Sequence, residues 1–262
     1  MINFNNIVKK LGNKGGKVMF KSDIYDIIDP EKKPEYQSQV DKIIYRLKAE
    51  EYIITLKAGV YVIPSDEDRN LNSIDLLEKY FLKLLKKYII SEVGTYYYIG
   101  GTKALEFHMK DYSLPLRISI INAQVQKKIK IGHFEIHFKI LYGRKQGKKV
   151  KLFPQFEKYT QEKDILGIKF KLACLELALI ESALIEDIHL GINIGLLSKT
   201  IKKYEKIFSY DIFYEIGKYK YNMAFNRLKE LSKPLSSDVY QVCLEVIKKN
   251  GGCFVGEGLR NL

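Results

Sequence analysis

The stretch "KKPEYQSQVDKIIYRLKAEEYIITLKAGVYVI", from Lys32 to Ile63, joins a helical pattern to a hairpin pattern and decides the fold of the first part of the chain. Pro34 stands where the first turn of a helix tolerates proline. The apolar stripe at helical spacing consists of Val40, Ile43, Ile44 and Leu47. Two strand-like runs follow at Tyr52–Leu56 and Val60–Ile63, and Lys57–Gly59 is the turn that joins them. The stretch therefore predicts a helix followed by a β-hairpin.

Two shorter helical patterns precede this stretch. The first has its apolar positions from Phe4 to Leu11 and ends at Gly12. "NKGGKVMF" is predicted as a turn, and a second helix is predicted over Ser22–Ile28 with Ser22 as its N-cap. Three helices followed by a two-stranded wing are typical of the winged helix-turn-helix, in which the third helix enters the major groove of DNA.

The polar face of the third predicted helix supplies the candidate DNA contacts. Glutamine and arginine pair with adenine and guanine edges, whereas Lys42 and Lys57 are expected to contact phosphates. The candidates are Gln37, Ser38, Gln39, Lys42, Tyr45, Arg46 and Lys57. The alternative is that these side chains are only the solvated face of a helix in a module that binds protein. Residues 1–70 carry 12 basic and 11 acidic residues, a net charge of only +1.

The remainder of the chain predicts a second domain, so the expected fold class is α+β, with a winged helix-turn-helix domain followed by a mixed α/β domain. We predict domain 1–66, linker 67–73, domain 74–250 and a glycine-rich tail 251–262. A helix capped by Ser73 opens the second domain. The predicted strands are Leu116–Asn122, Ile129–Ile131 and Phe134–Leu141.

The later part of the chain predicts helices. "KFKLACLELALIESALIEDI", from Lys169 to Ile188, is apolar nearly all round and predicts a central buried helix. Glu176 and Glu181 within it are interpreted as edge residues paired with lysine rather than as a catalytic acid pair. Four further helices are predicted at Leu196–Phe208, Tyr210–Glu215, Met223–Leu231 and Ser237–Lys249, the last capped by Ser236 or Ser237.

Positive charge is concentrated in the middle of the chain. Residues 71–150 hold 15 basic and 6 acidic residues, a net charge of +9. The segment 127–151 reads as a basic hairpin with Glu135 as its single acid. Its patch comprises Lys127, Lys128, Lys130, Arg144, Lys145, Lys148, Lys149 and Lys151. Such a patch suggests a polyanion or an acidic protein as partner, and the alternative is a solvated hairpin.

The motif "VGTYYYIGGTKALEFH", from Val93 to His108, places Gly100 and Gly101 between a strand-like run and a helix-like run. Such a turn can bind a nucleotide phosphate. Minimal nucleotidyltransferases follow it with paired aspartates that hold two metal ions, whereas here Arg117 occupies the next strand. We interpret the turn as a structural corner.

A metal site is the other chemistry that the sequence raises. "HFEIH" places His133, Glu135 and His137 at alternating positions, a conceivable metal trio, but we interpret them as ordinary strand residues. No cofactor or metal is therefore expected. The cysteines at 174, 243 and 253 suggest neither a disulfide framework nor a zinc site. With no signal peptide or membrane span in the sequence, we expect a soluble cytoplasmic protein.

Several of these stretches resemble the AbiEi antitoxins of type IV toxin-antitoxin systems. The likeness runs from about Ile7 to Leu231 and rests on "AGVYVI" in the wing, "YIGGTKAL" at the turn and "ESALIE" in the apolar helix. "KYNMAFNRLKEL" is similar to the late basic helix of the family, which carries more arginine. The resemblance implies a non-enzymatic protein whose N-terminal domain binds operator DNA and represses its own operon. It also implies a C-terminal domain that counters a nucleotidyltransferase toxin, with no direct contact required.

Two other functions stay open from the sequence. One is a nucleotidyltransferase-like enzyme that uses Gly100 and Gly101. The other is an RNA-binding module that uses the basic segment 127–151. A neighbouring nucleotidyltransferase gene would favour the antitoxin over both.

Overall fold

A computed structural model describes residues 3–12, 15–68, 70–184, 192–219 and 221–251 of the chain. The predicted α+β class is confirmed, because helices and a mixed sheet make up most of the described residues. The chain divides into two compact units, Met1–Tyr88 with Ile131–His133 and Ile89–Lys130 with Phe134–Leu262. The domain and linker bounds given above stay predictions. Residues 252–262 of the glycine-rich tail lie outside the described residues.

Along the first unit, an α-helix is followed by a strand, two α-helices and two strands, and a long α-helix comes after them. The bounds are α1 Phe4–Gly12, β1 Lys17–Phe20, α2 Lys21–Ile28, α3 Gln37–Ala49, β2 Ile54–Lys57 and β3 Val60–Ile63. The described strands form an antiparallel sheet in the order β1-β3-β2. A single apolar cluster holds the helices against this sheet, and its fully buried members include Leu11, Ile24, Leu47 and Ile53.

The interpretation of "NKGGKVMF" as a turn was wrong for its second half. Lys17–Phe20 is strand β1, and it pairs with β3 from Lys17 opposite Ile63 to Phe20 opposite Val60. Within the described residues of this stretch, Gly15 and Gly16 form the turn, and Gly16 has a positive φ of 72°. Ser22 is not the cap of α2, which begins at Lys21. The Asp23 carboxylate instead accepts a hydrogen bond from the Phe20 amide at 2.6 Å.

The hairpin after α3 is present, with β3 at the predicted position and β2 starting two residues late. Tyr52 and Ile53 donate their amides to the Leu47 carbonyl, at 2.9 and 3.3 Å, and so close the end of α3 before the strand begins. The turn between the strands is short. Its Gly59 has a φ of 76°, and the Gly59 carbonyl accepts the Lys21 amide at 2.8 Å.

Helix α4, Ser73–Val93, follows a buried carboxylate, Asp68. Asp68 accepts hydrogen bonds from the Ser65 amide at 2.6 Å, the Tyr80 hydroxyl at 2.5 Å and the Lys79 ammonium at 2.7 Å. The predicted cap Ser73 is wrong, because the Asn72 side chain accepts the amides of the first helical turn. No described helix, α4 included, is long and apolar enough to cross a membrane.

The second unit is built on a sheet of six described strands in the order β10-β11-β4-β5-β7-β6. In chain order the strands are β4 Tyr98–Ile99, β5 Arg117–Ile121, β6 Lys127–Ile131, β7 Phe134–Lys139, β8 Tyr142–Lys145, β9 Lys148–Lys151, β10 Thr160–Ile165 and β11 Ile168–Ala173. The sheet is mixed, because β11 runs parallel to β4 and β5 runs parallel to β7, whereas β4 and β5 are antiparallel. Strands β8 and β9 form a separate two-stranded sheet.

The helices of this unit follow the sequence prediction more closely at its end than at its start. They are α5 Gly101–His108, α6 Phe153–Phe156, α7 Leu175–Ser182, α8 Ile194–Tyr204, α9 Tyr210–Gly217, α10 Asn222–Ser232 and α11 Ser237–Lys249. The bounds of α11 are as predicted, and the Ser236 hydroxyl caps it by accepting the Val239 amide at 3.3 Å.

The single helix predicted over Lys169–Ile188 was wrong. Strand β11 occupies its start and only α7 is helical, while residues 185–188 lie outside the described residues. Phe170 and Leu172 are fully buried and alternate with more exposed lysines, which is the two-residue period of a strand. Strand β10, which pairs with β11 along its whole length, was not predicted at all.

Candidate nucleic-acid interface

Helix α3 presents one polar face to solvent. Val40, Ile44 and Leu47 are buried on its opposite side. The exposed side chains of α3 include all six candidates on this helix: Gln37, Ser38, Gln39, Lys42, Tyr45 and Arg46. Tyr45 stands out because 74% of it is exposed, an unusual position for a large aromatic side chain. The exposure predicted for this face is thus observed, and its role in binding stays a prediction.

Arg46 is held at the flank of α3 that faces the first helix. Its guanidinium carbon lies 3.8 Å from the centre of the Phe4 ring, a cation–π contact. Its Nε donates to Glu50 Oε1 at 2.6 Å, one turn later on the same helix. One of the five N–H donors of the guanidinium is therefore used within the protein, and the Phe4 ring covers one of its faces.

The other flank of α3 is held by Asp41, a residue that sequence reasoning did not single out. Asp41 Oδ1 accepts a hydrogen bond from the Tyr25 hydroxyl and lies 3.0 Å from Lys21 Nζ. The hydrogen bonds from Tyr25 and Lys21 lower the pKa of the Asp41 carboxyl. The i, i+4 spacing of Lys21 and Tyr25 predicts that they lie on one face of α2. It does not predict that this face contacts Asp41, which is distant in the sequence.

Two of the candidate contacts lie at the margins of this surface. Gln37, the first residue of α3, lines a cavity of about 160 Å³ together with Tyr25 and Val40. Lys57 is half-buried at the end of β2, opposite Val60. The turn that follows Lys57 is too short to add further basic residues, so the wing offers this one lysine.

The basic segment 127–151 is two hairpins and not one, which corrects the sequence interpretation. Its first three lysines lie on β6, an edge strand, where lysine commonly discourages pairing with other chains. Lys127 also pairs with Glu92. All eight side chains of the patch are exposed: Lys127, Lys128, Lys130, Arg144, Lys145, Lys148, Lys149 and Lys151.

The β8–β9 hairpin places like charges directly opposite each other. Arg144 faces Lys149, and Lys145 faces Lys148. Two of these cations contact aromatic rings, since Lys149 Nζ lies 4.1 Å from the centre of the Tyr142 ring and Lys145 Nζ lies 5.4 Å from that of Tyr219. Cross-strand repulsion destabilises an isolated hairpin, and a bound polyanion would relieve it.

The Gly100–Gly101 turn is filled by a carboxylate of the protein itself. Glu181, buried in α7, accepts the Gly101 amide at 3.0 Å and the Tyr98 hydroxyl at 2.7 Å. Gly101 has a positive φ of 61°. A Cβ on Gly100 would lie 2.3 Å from Glu181 Oε2, so only glycine permits this approach. The amide that would bind a phosphate is already paired with an anion.

Glu176, the other acid of α7, is also used internally. Its Oε1 accepts the Ser209 amide at 2.8 Å, just before α9 begins. Both Glu176 and Glu181 are buried, and both accept backbone amides. The interpretation of these residues as lysine-paired edge glutamates was therefore wrong.

The "HFEIH" segment does not bring its three polar side chains together. His137 Nε2 lies 2.9 Å from Glu135 Oε2, which also accepts two hydrogen bonds from Arg117 at 3.1 and 2.9 Å. His133 precedes β7, and its Nε2 lies 3.7 Å from Glu78. Burial lowers the pKa of His137. Within the described ranges, no group of three or more His, Cys, Asp or Glu residues is placed to hold a metal ion.

Two of the three cysteines fall within the described part of the chain. Cys243 is buried in α11, and Cys174 is half-buried just before α7. Burial raises the pKa of the Cys174 thiol to about 12, so the thiolate that a nucleophile needs is disfavoured. Cys253 lies outside the described residues.

Comparison with known proteins identifies a similar fold. No protein-family model matches the chain, and no curated protein matches it. Among solved structures, it is similar to the crystal structure of the RV2827C protein from Mycobacterium tuberculosis, with a TM-score of 0.58 and 12% sequence identity. The match covers 94% of this chain and 80% of that chain. At this identity the likeness concerns the fold alone.

Proposed function

We propose that the protein is a DNA-binding transcriptional autorepressor and that its first unit is a winged helix-turn-helix with α3 as the recognition helix. The observation that carries the proposal is the polar face of α3, which is exposed opposite a fully buried apolar stripe. The hairpin β2–β3 follows α3 in the chain, as a wing does. An α-helix presented in this way fits the width of the major groove.

The proposal extends to an antitoxin of the type IV class. This part rests on the resemblance of the wing, the Gly-Gly turn and α7 to the AbiEi antitoxins. The partner is then operator DNA of its own operon, and the functional counterpart is a nucleotidyltransferase toxin that need not be touched directly. Since operator DNA lies in the cytoplasm, the proposed function places the protein there.

A non-enzymatic role is supported by the chemistry of the Gly100–Gly101 turn. A nucleotide phosphate would have to displace the Glu181 carboxylate from the Gly101 amide, and Glu181 is buried with two hydrogen bonds in place. Displacement would leave a buried charge without those donors, which is costly. Catalysis at this turn is therefore disfavoured.

DNA binding by the full-length chain tests the proposal. Fluorescence anisotropy would compare a duplex of the DNA upstream of its own gene, a shuffled duplex and an RNA of the same sequence. We expect the upstream duplex to bind at least about 10³-fold more tightly than the shuffled one at physiological salt. Equal binding of both duplexes would contradict a specific repressor. Tighter binding of RNA, lost when Lys145, Lys148 and Lys149 become alanine, would favour the RNA-binding alternative.

Protection from the toxin tests the second part. The chain would be co-expressed with the neighbouring nucleotidyltransferase, and growth would be measured with and without it. We expect growth to be restored by the wild type. A chain that represses its promoter yet never protects would be a regulator without the antitoxin role. Nucleotidyl transfer by the purified protein with Mg²⁺ and nucleoside triphosphates would contradict the non-enzymatic role.

A further inference from the structure

The geometry points to Ser38, Lys42 and Tyr45 as the side chains of α3 that read bases, and to Arg46 as a residue that positions the helix. We infer in particular that Tyr45 packs against the methyl group of a thymine. This inference rests on the proposed DNA binding and narrows it to three residues and one kind of base contact.

The three side chains form the outermost ridge of α3. They are spaced i, i+4 and i+7, so they lie on one face, opposite Val40, Ile44 and Leu47. The ridge is about 10 Å long at the helical rise of 1.5 Å per residue. That length corresponds to roughly three base-pair steps of duplex DNA. A contiguous patch of three or four base pairs is the footprint that this ridge can read.

The two flanks of the ridge are occupied by contacts within the protein. Arg46 stacks on Phe4 at 3.8 Å and donates to Glu50 at 2.6 Å. Asp41 is bonded to Tyr25 and Lys21 on α2. Of the guanidinium donors, Nε is bonded to Glu50, and the stack on Phe4 holds the group along this flank of α3. The buried stripe sets which side of α3 faces solvent, and these flanking contacts add to it by tying α3 to α1 and α2.

The ridge residues are uncommitted by comparison. Among the described residues, the side chains of Ser38, Lys42 and Tyr45 take part in no hydrogen bond or ion pair, and Tyr45 is 74% exposed. An exposed ring gains free energy when it is buried against an apolar surface, and the thymine methyl is the main apolar group in the major groove. The Lys42 ammonium is a donor suited to guanine O6 and N7. The Ser38 hydroxyl can pair with either kind of base edge.

The experiment removes single groups from the DNA as well as from the protein. The tightest duplex would be recovered from a randomised library with the full-length chain, and each thymine would then be replaced by deoxyuridine, which lacks the methyl group. At one position we expect an affinity loss of about four-fold, the effect of one buried methyl. Tyr45→Ala should bind the thymine and deoxyuridine duplexes equally, and Tyr45→Phe should keep the discrimination.

Lys42 and Arg46 provide the matched comparison. A guanine replaced by 7-deazaguanine, which lacks the N7 acceptor, should weaken the wild type by roughly five-fold and leave Lys42→Ala unaffected. Arg46→Ala should weaken the selected and unrelated duplexes by a similar factor while the preferred bases stay the same. Phe4→Leu should behave like Arg46→Ala, because it removes the ring on which the guanidinium stacks.

The outcomes separate this inference from the proposed function. If Arg46→Ala abolished a guanine preference while Tyr45→Ala retained sensitivity to the thymine methyl, the assignment of reading and positioning roles would be overturned. If no duplex bound the wild-type chain more tightly than random DNA, the proposed function itself would fail. Far-UV circular dichroism of each variant would verify that it folds, and Tyr45 and Lys42 are exposed enough to be replaced without harm.

Discussion

The exposed face of α3 and the Gly100–Gly101 turn place polar groups in opposite situations. Lys42 and Tyr45 point into solvent with their hydrogen-bonding groups uncommitted within the described chain. The Gly101 amide and the Tyr98 hydroxyl, in contrast, both donate to the buried carboxylate of Glu181. The sequence of the turn is more typical of a ligand-binding site, but it is the helix whose polar groups are available to bind a ligand.

This difference shows that a motif can bind a ligand only if its hydrogen-bonding groups have no partner within the protein. A glycine turn before a helix attracts anions because its amides are unpaired. Once an internal carboxylate pairs with them, the same geometry contributes to stability instead of to binding. Replacements at the turn should therefore change folding, whereas replacements on α3 should change binding.

The largest effect is expected from Gly100→Val. The new Cβ would lie 2.3 Å from Glu181 Oε2 and 3.0 Å from Ile121, both in a buried region. We expect the free energy of unfolding to fall by about 3 kcal/mol or more, measured by urea unfolding. Gly12→Ala is the matched control, since nothing lies within 4 Å of its added Cβ. An unchanged midpoint for Gly100→Val would show that the turn has room for a ligand.

Glu181→Leu should come next, because it leaves two buried donors without their acceptor. The loss of the partner of Tyr98 and Gly101 should lower the free energy of unfolding by about 2 to 3 kcal/mol. Glu181→Gln keeps a carbonyl acceptor and should cost less, about 1 kcal/mol. Thermal or urea unfolding compares the two. Equal effects, or a gain of nucleotide binding in the leucine variant, would contradict a purely internal role.

The Asp68 carboxylate predicts a dependence of stability on pH. Burial alone raises its pKa, but the hydrogen bonds from Lys79, Tyr80 and Ser65 outweigh this and hold the pKa below its ordinary value. A depressed carboxyl contributes stability above its unfolded pKa, near 4, and loses that contribution as the pH falls further. The stability gap between wild type and Asp68→Asn should thus be full at pH 7 and shrink below about pH 4. A constant gap would exclude this contribution.

The smallest effect on stability is expected at the surface of α3. Tyr45→Ala and Lys42→Ala remove side chains that are exposed and that form no hydrogen bond or ion pair within the described part of the chain. Their free energies of unfolding should stay within about 0.5 kcal/mol of the wild type, while affinity for the selected duplex falls by about four- to five-fold. A large destabilisation by either would mean that the face is covered in the native protein.

Sequence periodicity predicted the parts of the fold in which burial has a local pattern. Helices α3 and α11 each bury one stripe and expose the other side, so their spacing identifies them. The prediction missed strand β11 because the six residues of the strand lie one residue before the apolar helix α7, and together they form one long apolar segment that resembles a helix. The prediction missed strand β1 because the strand has only four residues and directly follows two glycines, which indicate a turn.

For the candidate site, too, the sequence predicts features that follow a local pattern and misses contacts between separate elements. Exposure of Lys42 and Tyr45 follows from the helical period, so the sequence predicts it. The stacking of Arg46 on Phe4 and the pairing of Asp41 with Lys21 join separate elements, and no local pattern encodes them. The role of Glu181 was missed for the same reason, since its partners lie on another strand and another helix.

The Glu181 contacts also have a consequence for how the second unit folds. They join residues 80 and 83 positions apart and so close a long loop, and we expect such contacts to form late in folding. A nascent chain that ends before α7 contains the strands of the sheet but lacks the carboxylate that accepts the Gly101 amide and the Tyr98 hydroxyl. Contacts that form late affect mainly the unfolding rate. Glu181→Gln should therefore accelerate unfolding while refolding keeps nearly its original rate. In that case the contacts of α7 slow the unfolding of the sheet without helping it to form.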